Sequence, residues 1–382
     1  ASFGVAHGSP AFVQREVFSP DGEISRVEVT AGPLFDKEDM EKIPAPVVWL
    51  HETGASAGRF NFVFVGDGYS SEDLDLYRQH AASSWDTILA QEPFATYRNY
   101  INAHRVIIKS VDSGVSQDPP PIVKDTPLGM NYFCGEIPRL LCVDEKKAQA
   151  YALNAPKSDQ VIAIANSATY GGAGGKVATV AGANAKASQI LLHELGHSLG
   201  SLTDEYVLKD VTYSGNEIEP SPSWHKRNVS IFPAEEMLAR GLKWFLWMGV
   251  SALDGGNVGT FEGASDGANG VYRPTENSLM RSLGKPFNPP GLEAMVIGIY
   301  RVTGAIDQHS PVAVQVKPTA RLSVKPFEPI GHELEIRWYL DGHRLSALDN
   351  LRTLNLSSLN LIGPHSVNVV VSDPTPCVRD SL

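Results

Sequence analysis

The stretch HELGHSLGSLTDEY, residues 193–206, holds the side chains best suited to chemistry in this chain. His193 and His197 are four apart, so on a helix their imidazoles lie one above the other and project toward a common point. Two neutral imidazole nitrogens at that spacing suit Zn2+. Glu194 is rotated away from the ligand direction but can reach a water on the open side of a metal, which is the place of a general base. The pattern H-E-x-x-H is therefore expected to perform metal-assisted hydrolysis, with His193 and His197 as ligands and Glu194 as base.

A catalytic zinc needs a third protein ligand and leaves a fourth place for water or substrate. The extended pattern H-E-x-x-H-x-x-G-x-x-H would put that ligand at Thr203, which is a poor one. Asp204 comes next, and its short side chain after the flexible Gly200 makes it the expected ligand. Glu205 is the second choice, and either carboxylate could instead orient a histidine. Downstream, NSLMRS places Met280 in a turn after the helix, the chain order of the methionine turn beneath a metzincin zinc. Tyr272 and Arg273 are candidates to steady an oxyanion, with packing and loop roles as the plainer alternative. The glycines from Gly171 to Gly175 suit an edge strand whose backbone, at Gly171 and Gly172 above all, would meet an extended substrate.

These residues need a frame. Ile190, Leu191, Leu192, Leu195 and Leu199 recur at helical spacing and predict a helix over 187–199 that stops at Gly200. Upstream, RFNFVFVGDGYSSEDL reads as a buried strand, a turn and a helix entered through Ser70 or Ser71. NAHRVIIKSV and VIAIAN are further strands, and their alternation with helices predicts an α/β domain over 58–305. Residues 1–57 read as an N-terminal β arm. Residues 306–382, with short alternating strands and the turn at Asp341-Gly342, read as a β-sandwich of immunoglobulin-like (Ig-like) type. GDG at 66–68 and the Asp and Gly residues of 253–270 read as turns, since neither follows a calcium-loop pattern.

Composition excludes other classes. A net charge of −11 over 382 residues, with no Lys/Arg cluster interleaved with aromatics, argues against nucleic acid as a partner. The apolar runs fall short of the roughly 20 residues needed to cross a bilayer. The N-terminus ASFGVAHGSP shows no basic and apolar leader, which decides little, since a mature chain whose signal was removed would equally begin at Ala. Cys134 and Cys142 are close enough in sequence to pair, and a disulfide there would point outside the cytoplasm.

With these residues in hand, the chain resembles the M64 family of metallopeptidases over roughly residues 58–305. The likeness rests on FVFVGDGYSSEDL, QEPFATYRNYINAHRVIIKSVDSGVS, HELGHSLGSLTDEY and GTFEGASDGANGVYRPTENSLMRS, in that order. It implies a metzincin-like zinc endopeptidase, usually secreted, periplasmic or at the cell surface of bacteria, acting on a protein or peptide substrate. DEY after the helix is part of that signature. NSLMRSLGKPFNPPG lacks the cysteines of many relatives, so no disulfide carries over there. The rival reading is a surface adhesin or glycan-binding protein that uses the C-terminal module and a structural metal. Glu194 argues against it, because a structural site has no use for a base. Metal-dependent hydrolysis of non-peptide bonds is disfavoured by chain size and by Met280.

Overall fold

A computed structural model describes residues 12–19, 24–30, 40–208 and 226–379. The N-terminal residues read for a leader, 1–10, lie outside them. The first described element is an antiparallel hairpin, β1 (Phe12–Phe18) and β2 (Ile24–Thr30), in which Glu16 stands directly opposite Arg26.

A six-stranded sheet forms the centre. Its strands are β3 (Val47–His51), β4 (Phe60–Asp67), β5 (Ile101–Val106), β6 (Gln160–Ala165), β7 (Gly172–Ala173) and β8 (Val177–Ala181). They lie in the order β3-β5-β4-β6-β8-β7, parallel except for the two edge strands. Every residue of β4 is buried, as expected of a strand covered on both faces. Phe60, Phe62 and Phe64 point into one core and Val63 and Val65 into the other, the alternation that a pleated strand imposes. The first core holds side chains of α1 (Leu74–Leu89), and the second is covered by α2 (Glu145–Ala152). The first core also takes in α3 (Ala187–Ser198), and a short α4 (Ala234–Arg240) follows outside it. Two antiparallel strands, β9 (Phe261–Ala264) and β10 (Gly267–Arg273), precede α5 (Pro289–Thr303), which packs into the first core.

Helix α1 begins at Leu74, later than Ser70 or Ser71 suggests, because the Asp73 carboxylate accepts from the Ser70 backbone N–H and hydroxyl and closes the preceding turn. Asp67 of the GDG turn accepts from Thr126 and from the backbone N–H groups of Leu128 and Met130, a structural use of the carboxylate. β3 belongs to the central sheet, so the sheet begins ahead of the boundary expected at residue 57. A short strand signal says nothing about which sheet it joins.

The C-terminal strands are β11 (Ile306–His309), β12 (Arg321–Pro326), β13 (Glu335–Leu340), β14 (His343–Arg344), β15 (Thr353–Asn355) and β16 (Val367–Ser372). They form two three-stranded antiparallel sheets, β11-β12-β15 and β14-β13-β16, around Val324, Ile336, Trp338, Leu354 and Leu356. Phe327 from this part stacks on Tyr100, and Asp307 pairs with Arg59 at 2.7 Å. Cys134 and Cys142 are bonded, with Cα atoms 6.2 Å apart. No helix among the described residues is long and apolar enough to cross a membrane.

Candidate metal centre

Helix α3 buries Ile190, Leu191, Leu192 and Leu195 in the core and turns His193 and His197 to one side. Gly196 lies between them because a side chain there would strike Met280 Sδ. The helix does not end with a left-handed Gly200. The positive φ falls on Ser201, at 48°, and Gly200 is needed for space, since a Cβ would meet Met295 Sδ and the Gly196 carbonyl. Leu202 N–H then bonds back to Gly196 O at 3.0 Å, and the chain returns toward the histidines.

His193 Nδ1 is 3.0 Å from Leu279 O, and His197 Nδ1 is 2.8 Å from Leu202 O. A carbonyl only accepts, so each Nδ1 carries a proton, and the neutral ring presents its lone pair at Nε2. The two Nε2 atoms are 3.1 Å apart, and Asp204 Oδ1 is 3.1 Å from His193 Nε2 and 3.2 Å from His197 Nε2. A fourth group completes the cluster. Glu16 of β1 brings Oε2 to 3.2 Å from His193 Nε2 and 4.0 Å from His197 Nε2. One ligand atom from each of Glu16, His193, His197 and Asp204 lies within 4.8 Å of the others. Glu16 Oε2 is buried and faces His193 Nε2. Two Nε2 atoms and two buried carboxylate groups converging on one point, with both Nδ1 atoms fixed by carbonyls, are what a divalent cation would satisfy.

The same crowding sets the proton affinities of the metal-free protein. Burial disfavours the His193 imidazolium, but hydrogen bonding to Asp204 and Glu16 outweighs it and holds the group well above its ordinary value. At His197 burial is again outweighed, here by the Asp204 charge, and the pKa rises to about 9. Burial works against the Asp204 carboxylate, yet the two histidines keep it well below the usual range. Burial pushes half-buried Glu194 up to about 7, with the histidines pulling it down and Glu16 and Asp204 adding to the rise. A carboxyl near neutrality can both take and return a proton.

Glu205 is outside the cluster. Its carboxylate, fully buried, accepts from Ser278 Oγ at 2.6 Å, Asn228 Nδ2 at 2.8 Å and Asn288 Nδ2 at 2.9 Å, while its N–H donates to Met280 O at 2.8 Å. Asn288 is also the N-cap of α5. Glu205 thus ties the ligand loop to the Met280 turn, which in turn supplies Leu279 O to His193. Asn228, whose sequence context is a glycosylation sequon, is buried and holds Thr203 on both its N–H and its C=O.

Two further groups reach the cluster without having been singled out from the sequence. Tyr206 donates its hydroxyl to Glu16 Oε1. Arg26 of β2 bonds Asp204 Oδ2 at 2.5 Å, Glu16 at 3.1 Å, and Asp266. Tyr206 lies within DEY, so its closeness to the ligands was readable, whereas nothing in β1 or β2 marks Glu16 or Arg26.

Tyr272 and Arg273 are used elsewhere. Tyr272 packs beside Met237, Trp244 and Trp247. Arg273 donates to the carbonyls of Glu262 and Gly263 at 2.6 Å each and of Glu276 at 3.2 Å. Gly172 opens β7 and Gly171 precedes it, but Tyr132, Arg139 O and Thr179 O close over them. Gly174 is the glycine against Glu194, whose carboxylate fills the space a Cβ would need. A cavity of about 620 Å³ lies between the hairpin, the Cys134–Cys142 loop and residues 173–179, lined on the hairpin by Val13 and Arg15 rather than by the cluster residues.

A family model described as IgA Peptidase M64 matches residues 48–252 and 250–299. The chain belongs to the IgA peptidase M64 family. The match takes in the histidine pair, Glu194, Asp204, Glu205 and Met280 of this M64 peptidase, and it leaves out the hairpin that carries Glu16 and Arg26. No curated protein matches the chain.

Proposed function

We propose that this M64 peptidase is a zinc-dependent endopeptidase with a metzincin-like centre. The convergence of His193, His197 and Asp204 on one point, with both Nδ1 atoms locked to carbonyls, carries the reading. When bound there, zinc would supply Lewis acidity toward a peptide carbonyl and toward a water. Glu194 takes a proton from that water and returns it to the leaving nitrogen. Tyr206, whose hydroxyl now donates to Glu16, donates to the substrate oxygen as charge grows on it. Met280 and Glu205 hold the ligands in place from below and behind, the role of a methionine turn.

The domain reading that goes with this is a catalytic unit from β3 to α5 and an Ig-like unit from residue 306 onward. An exported, extracytoplasmic setting is supported by the Cys134–Cys142 bond. Glu194→Gln should keep its zinc and lower proteolysis of an unfolded protein substrate by about 10²-fold or more. Full proteolysis by that variant would contradict the assignment of the base.

A further inference from the structure

We infer that Glu16 is a fourth ligand of the metal centre and that the β1–β2 hairpin lies in the substrate path, so that only the fraction of molecules with the hairpin displaced is active. This rests on the peptidase reading above. Side chains alternate along β1, so Glu16 and Phe18 share one face and Arg15 and Val17 the other. Glu16 enters the ligand cluster, and Phe18, 2% exposed, sets its ring edge-on to His193 at 4.9 Å. On the opposite face Val17 packs with Val29, Leu140 and Ala173. Arg15 donates to the Gly174 carbonyl, beside the proposed base, and to Glu145 at 2.9 Å. The hairpin therefore fills the open metal position, takes the carbonyl next to Glu194 and covers the edge strand that a substrate would join.

Ionic contacts join this apolar packing in holding it there. Arg26, directly opposite Glu16 in the ladder, bridges the hairpin to Asp204 and Asp266, and Tyr206 adds one hydrogen bond. The family match starts at residue 48, after this hairpin.

The test uses the full chain as wild type, Glu16→Ala and the isosteric Glu16→Gln, each loaded with zinc and checked for folding by thermal melting. Zinc content is measured by elemental analysis, and the dissociation constant of acetohydroxamate, a small metal chelator, by calorimetry. The expected result is about one zinc in all three proteins and acetohydroxamate binding at least tenfold tighter to both variants, because wild type exposes the metal only in the fraction with the hairpin displaced. Arg15→Ala, which loosens the hairpin without touching the ligands, should give a smaller gain of the same sign. Equal affinity in wild type and both Glu16 variants would overturn the proposal. Loss of zinc from both Glu16 variants alone would also overturn it, since Glu16 would then be a permanent ligand. Absence of zinc from wild type as well would instead bring down the peptidase reading itself.

Discussion

The metal cluster has two sides built in different ways. On one side, His193, His197 and Asp204 come from a single stretch of chain and are pinned by buried, fully partnered groups: Leu279 O, Leu202 O and, through Glu205, the side chains of Ser278, Asn228 and Asn288. On the other, Glu16 and Arg26 arrive on a two-stranded hairpin and are held by ion pairs in which the Arg26 side chain is still 28% exposed. Buried hydrogen bonds resist removal because the abandoned partner has no water to turn to, whereas the Arg26 guanidinium already meets solvent and keeps part of its hydration when its pairs open. The first side is a framework, and the second is a removable cover.

The largest way to break this contrast is at Glu205. Glu205→Ala should strand Ser278, Asn228 and Asn288 and cost about 3 kcal/mol or more, read as a shift of the urea midpoint. A loss below about 1 kcal/mol would mean that the framework side is no firmer than the cover.

Next is the pH dependence of metal binding. His197 is held at about 9 in the metal-free protein and His193 is also raised. These raised values contribute folding stability to the metal-free protein that is complete below about 6.5, the unfolded value, and lost as pH rises through about 9. Zinc must displace those protons, so its affinity should climb with pH, by about tenfold per unit for each proton displaced, and climb less steeply once His197 has lost its proton above about 9. Competition against a chromophoric chelator from pH 6 to 9 checks this, and a flat profile would contradict the site as described.

The smallest effect sharpens the contrast from the cover side. Arg15→Ala should change global stability by less than about 1 kcal/mol. Amide hydrogen exchange should nevertheless speed up in β1 and β2 while α3 keeps its protection. Equal loss of protection in both would make the hairpin part of the framework.

What the sequence made legible follows the same division. His193, Glu194 and His197 could be read because a helix converts a spacing of four into a shared direction, and the apolar residues around them announce the helix. Asp204 and Glu205 could be narrowed to but not told apart, since the turn after α3 depends on Ser201 and on Gly200 packing against Met295, contacts made with a distant element. The α/β alternation was visible in β4, β5 and β6. The membership of β3 in the sheet was not, because pairing partners leave no local mark. Tyr272 and Arg273 drew attention as polar residues ahead of Met280, yet a loop that must satisfy its own carbonyls claims Arg273. Glu16 had no signal at all: an acidic residue in an alternating strand has the pattern of a solvated face.

The most direct test of the metal centre is zinc content by elemental analysis of wild type and Asp204→Ala, purified without added metal. About one zinc per wild-type chain, lost from the variant, is the predicted result. A wild type without zinc, or a variant that retains it, would contradict a centre built on His193, His197 and Asp204.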